Sequence, residues 1–145
     1  MNGSQTNDAS FWLMKDDQKV LDYLAQLKDQ VGKVIINLPK EISSQVYVCK
    51  HHIHIDLQGP RLSVFTLVLG GEAPELVYDG RYIGFRTIPA GLDEVMEFTE
   101  ETIDDVATFV LSTKPLLAHK SSVFRRAFIC IPSNHGPEWK LKQFS

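Results

Sequence analysis

Three of the five histidines fall in the run Lys50-His51-His52-Ile53-His54-Ile55-Asp56. On a β-strand, His52, His54 and Asp56 share one face, with neighbouring members about 6.6 Å apart by backbone rise. Imidazole and carboxylate are ligands for zinc and iron. Two histidines at i and i+2 can hold one metal when a third ligand arrives from another strand, and His119, His135 or a carboxylate could supply it. An open coordination position would then support metal-assisted hydrolysis. The competing expectation is a polar strand face turned to solvent, where an Asp–His contact contributes roughly a few tenths of a kcal/mol. His51 falls on the apolar parity and reads as a packed core histidine. No cofactor is required by this pattern; zinc or iron is what the set would take.

The run His52-Ile-His54-Ile-Asp56-Leu-Gln58 resembles the alternating His-apolar-His-apolar-His motif of the histidine triad nucleotide hydrolases and transferases. That resemblance implies a phosphate-handling enzyme with His54 as its nucleophile, and it departs from the motif at Asp56, where the third histidine belongs. The same residues are similar to the start of the metallo-β-lactamase His-x-His-x-Asp-His motif, with Leu57 in place of the final histidine. That fold needs a longer chain. Each likeness spans about seven residues, and the chain is assigned to neither family.

Other catalytic signatures are missing. The chain has no glycine-rich phosphate loop of the dinucleotide or P-loop type, no Gly-x-Ser-x-Gly elbow and no Cys-x-x-Cys pair. What stands out instead is charge. Residues 1–70 balance to zero, residues 71–113 carry two basic against ten acidic side chains, and residues 114–145 carry six basic against one acidic. Half of the acidic block is expected on the outer face of one helix, through Glu97, Glu100, Glu101, Asp104 and Asp105. Such a face is either plain solvated surface or a place where a basic protein partner docks. The basic C-terminal segment either folds back on that helix or meets phosphates through Arg125, Arg126, Lys140 and Lys142, with Trp139 and Phe144 alongside. A net charge of −3 disfavours nucleic acid as the main partner.

The elements that must position these groups follow from periodicity. Val20, Leu24, Leu27 and Val31 are spaced four, three and four apart, which predicts a helix ending near Gly32. Lys33–Asn37 is a short β-branched run. Gln45–Leu57 alternates as a strand, with Tyr47, Cys49, Ile53, Ile55 and Leu57 on one side. Leu62–Leu69 is apolar on both faces and reads as a central strand. Asp79-Gly80 between two strand-like runs signals a hairpin, and Gly84 suggests a bulge. Leu92, Val95, Thr99, Ile103, Val106 and Val110 predict a second long helix, with Asp93 and Glu94 in its first turn. A last strand over Val123–Ile131 and a short tail, Trp139–Phe144, complete the chain.

The expected fold is therefore α+β: a flexible tail over 1–10, then one domain over 11–145. That domain has an N-terminal helix, a mainly antiparallel meander of about five strands, a long amphipathic helix and a C-terminal strand. With 43% apolar and 23% charged residues, 145 residues can sustain one core without staples. Cys49 and Cys130 sit in apolar stretches and read as buried thiols of a reducing compartment. The absence of a signal peptide or a span-length apolar run predicts a soluble, cytoplasmic protein with no membrane contact. The function expected is a non-catalytic protein-interaction domain of adaptor, chaperone, immunity or regulatory type. A small hydrolase centred on His52, His54 and Asp56 is the alternative, and an exposed strand edge would allow a homodimer.

Overall fold

Val20, Leu24, Leu27 and Val31 form the buried line of helix α1 (Asp17–Ile35) in a computed structural model of the chain. The structure describes residues 17–70, 73–87, 91–120, 122–123 and 125–144, so the tail expected over 1–10 lies outside the described residues. The helix runs through Gly32, its expected stop, and takes in part of the β-branched run that follows. Val34, Ile35 and Leu38 pack against the core there, and that burial outweighs the weak helix propensity of one glycine.

Strands β1 (Ser43–Cys49), β2 (His52–Gln58), β3 (Phe65–Leu69), β4 (Glu75–Tyr78) and β5 (Tyr82–Phe85) form the predicted antiparallel meander. Helix α2 (Leu92–Leu111) follows, then β6 (Phe128–Ile131) and β7 (Trp139–Gln143). All seven strands make one antiparallel sheet in the order β1-β2-β3-β4-β5-β7-β6. The chain thus adopts an α+β single-domain fold with two strands more than the meander. The first of them, β6, is the C-terminal strand expected over Val123–Ile131, formed only from Phe128, and the unexpected one, β7, makes a hairpin with it and docks on β5. Trp139-Lys140-Leu141-Lys142 is that strand rather than a tail, and its alternation buries Trp139 and Leu141.

The run read as one strand over Gln45–Leu57 is a hairpin. Its turn is Lys50-His51, with Lys50 at φ 57°. Cys49 pairs with His52, Tyr47 with His54 and Gln45 with Asp56, so those residues share a face, while Val46 and Val48 oppose Ile55 and Ile53. Tyr47 and Cys49 therefore lie with the histidines and not with Ile53. Cys49 is exposed, Cys130 is half-exposed, and His51 is exposed in the turn; none of the three is the core residue expected. Leu62–Leu69 is strand only from Phe65, with Phe65, Leu67 and Leu69 inward and fully buried. At the other turn Asp79 and Gly80 both take positive φ, and the Arg81 N–H closes it on the Tyr78 carbonyl. Gly84 marks a close approach rather than a bulge. A Cβ there would come within 2.6 Å of Leu141 Cδ2 and 2.7 Å of the Lys140 carbonyl oxygen.

Both helices pack on one side of the sheet, and the core is the layer between. α2 ties the layer together: Phe109 meets Phe65 at 6.4 Å between ring centroids and Phe98 meets Trp139 at 6.2 Å. The Arg61 guanidinium donates to the carbonyls of Ser112 and Lys114 at 2.7 and 3.0 Å, satisfying acceptors beyond the end of α2. No helix among the described residues is long and apolar enough to cross a membrane.

Candidate functional site

The histidine strand is β2, and its alternation works as read. Ile53, Ile55 and Leu57 are buried, and His52, His54 and Asp56 project from the opposite face, away from the helices. There each group has a structural partner. Tyr47 stacks on His54 at 4.9 Å with the rings 9° from parallel, and His52 approaches His54 edge-on at 6.5 Å. The Thr66 hydroxyl donates to Asp56 at 2.7 Å. Partial burial and the neighbouring His52 hold the His54 pKa below its ordinary value, against the pull of Asp56 and Glu75. The three groups do not converge on a shared point. His119 lies on the outer edge of β6, six strand spacings or roughly 29 Å from β2. His135 lies beside α2, on the helix side of the sheet. Neither meets the β2 group.

The acidic helix divides into two parts. Asp93, Glu94, Glu97, Glu100 and Asp104 are exposed and Glu101 is half-buried, whereas Asp105 is only 3% exposed. Asp105 therefore does not belong to the outer face. Its carboxylate accepts the Ser133 hydroxyl at 2.5 Å and the Asn134 N–H at 2.9 Å, pinning the β6–β7 loop to α2. The Ser133 oxygen in turn accepts the His135 N–H at 3.1 Å. His135 Nε2 sits 3.0 Å from Asp104 and 4.0 Å from Asp105, and its Nδ1 is 3.9 Å from Glu101. The hydrogen bond to Asp104, with the surrounding carboxylates, raises the His135 pKa above its ordinary value despite some desolvation.

Asp104, Asp105 and His135 are the one set of three His, Cys, Asp or Glu ligand atoms within 4.8 Å of one another among the described residues. By the proximity of their ligand atoms, these three could hold a divalent cation. All three are already joined to partners inside the protein. Beside them, Phe85, Arg86, Phe98, Glu101, His135 and Pro137 line an open cleft of about 630 Å³. Arg86 spans it, donating to the Pro137 carbonyl with its guanidinium 4.2 Å from the Trp139 ring centroid.

The basic segment does not fold back on the acidic helix. Lys140 and Lys142 alternate with the buried Trp139 and Leu141, which turns them to the sheet face away from α2. With Arg125, Arg126, Phe128 and Gln143 they line a groove of about 400 Å³. Of the aromatics expected alongside, Trp139 is in the core and Phe144 is exposed. Phe128 takes their place through its pairing with Lys142.

No model of a known protein family matches this chain, and no curated protein or solved structure matches it either.

Proposed function

We propose that the protein is a non-catalytic protein-interaction domain whose contact surface is the exposed carboxylate stripe of α2, and whose partner presents a basic surface. One observation carries this reading. Asp93, Glu97, Glu100 and Asp104 follow one another at spacings of four, three and four on the exposed side of the helix. The ion pair seen on this row is that of His135 with Asp104, and it leaves the row strongly acidic. A one-signed row on a rigid element attracts a cationic partner and steers its approach. Asp105 and half-buried Glu101 serve the β6–β7 loop, which leaves Glu97 and Glu100 as the central contacts.

The double variant Glu97→Lys/Glu100→Lys tests it, with Asp104 left in place because it holds His135. Capture of a partner from lysate should be salt-sensitive and should fall on the order of tenfold in the variant. The thermal melting point should stay where it is. Capture unchanged by the reversal would remove the stripe from the function. The metal-dependent form of the hydrolase alternative gains no support, since the ligand atoms of His52, His54 and Asp56 are not gathered within 4.8 Å of one another.

A further inference from the structure

The outward face of the β6–β7 hairpin has a composition that the proposed interaction surface does not use. Lys140 and Lys142 lie two residues apart on β7 and project the same way, about 6.6 Å from each other by strand rise. Arg125 and Arg126 come from the turn just before β6, and the Arg126 guanidinium donates to the Gln143 carbonyl at 3.4 Å. Four cations and one aromatic ring thus line a single groove, with no carboxylate among its described lining residues. Glu138, one parity step along the same face, meets the Cys130 thiol and lies outside the groove's lining. No described residue of the lining relieves the mutual repulsion of the four charges, and an anion seated there would relieve it.

We propose that this groove binds a compact, multiply charged phosphate group, such as the pyrophosphoryl end of a small ligand. Two features favour a compact phosphate over an extended nucleic acid. Lys140 Nζ sits 4.3 Å from the Phe128 ring centroid, so that ring holds a lysine and is not a free platform for a base. Further along the same sheet face come Glu75 and Asp56, which repel a polyanion running across the strands. The cations themselves suit phosphate: two arginines offer planar forks for paired hydrogen bonds, and two lysines add point charge.

The test is titration of the full chain with inorganic pyrophosphate, followed through backbone amide NMR signals against sodium chloride at matched ionic strength. Saturable shifts at Arg126, Phe128, Lys142 and Gln143 are expected, weakened at least tenfold in Arg126→Ala/Lys142→Ala with its melting point preserved. Should that pair disturb the hairpin, Lys142→Gln alone, at an exposed position, should still weaken binding severalfold. Shifts that merely follow ionic strength, or that survive both variants, overturn the proposal. Single-stranded oligonucleotides of increasing length provide the last arm. Affinity that climbs with length overturns the compact site in favour of a polyanion track, and affinity no better than that of pyrophosphate supports it.

Discussion

His54 and His135 are the two histidines that the fold pushes in opposite directions, and the causes are visible around each ring. His54 is partly desolvated under Tyr47 and sits beside His52, so its pKa drops. His135 is hydrogen-bonded to Asp104 amid three carboxylates, so its pKa rises. Linkage turns these directions into stability. A raised pKa means the folded chain holds the proton more tightly than the unfolded chain. The contribution of His135 is therefore complete below its ordinary value of 6.5 and is lost as pH climbs through the higher folded value. His54 runs the other way: its folded form resists protonation, so folding is penalised as pH falls from 6.5 through the lower folded value. NMR titration should place the His135 midpoint above 6.5 and the His54 midpoint below it. His135→Gln should lower the melting point at about pH 5.5 and leave it nearly unchanged at about pH 9. A variant that loses equally at both pH values would show that His135 acts by packing and not by charge.

At the scale of elements, Asp105 is what fastens the C-terminal hairpin to α2. Replacing it with alanine strips the Ser133 hydroxyl and the Asn134 N–H of their acceptor. The expected cost is about 2 kcal/mol in urea unfolding, within the range for hydrogen bonds to charged groups. Asp104→Asn, at an exposed site, should cost far less at neutral pH. Hydrogen exchange should quicken in β6 and β7 before it does in β2 and β3, and a uniform change across the sheet would count against this role.

The same residue shows where sequence reading reaches its limit. Both helices are plain in the spacing of Val20, Leu24, Leu27 and Val31 and of Val95, Thr99, Ile103, Val106 and Val110, all of them buried. Asp105 was within reach as well, because it shares the buried arc with Thr102 and Phe109, three before it and four after. Its acidic neighbours hid that phase. The β1–β2 turn had no such signal. Lys50-His51 contains no glycine, asparagine, aspartate or proline, so the alternation ran straight through it. Because Cys49 pairs with His52, an odd number of residues on, the parity of β1 reverses. The His135–Asp104 contact joins residues 31 apart in the chain, and no local pattern announces it.

Across the whole molecule, charge is sorted by face. The carboxylate stripe of α2 lies over the helix layer, and the cations of β6 and β7 lie on the opposite side of the sheet, so a net charge of −3 conceals two strong fields of opposite sign. Between them stands a sheet with a helix packed on it, on the order of 10 Å before side chains are added. That separation exceeds the Debye length of about 8 Å at 0.15 M salt but falls well inside the roughly 30 Å that holds at 0.01 M. The two faces should therefore act independently under ordinary conditions and sense each other only when salt is removed. Combining Glu97→Lys/Glu100→Lys with Arg126→Ala/Lys142→Ala provides the measurement. At 0.15 M salt the two stability changes should add to within about 0.5 kcal/mol, as expected for sites with no shared contacts. At 0.01 M salt the combined variant should be more stable than the sum, because two of the four groove cations that would repel the new lysines across the sheet are gone. A coupling of about 1 kcal/mol or more at 0.15 M would mean that the faces communicate through the packed layer. Binding on one face would then be felt on the other.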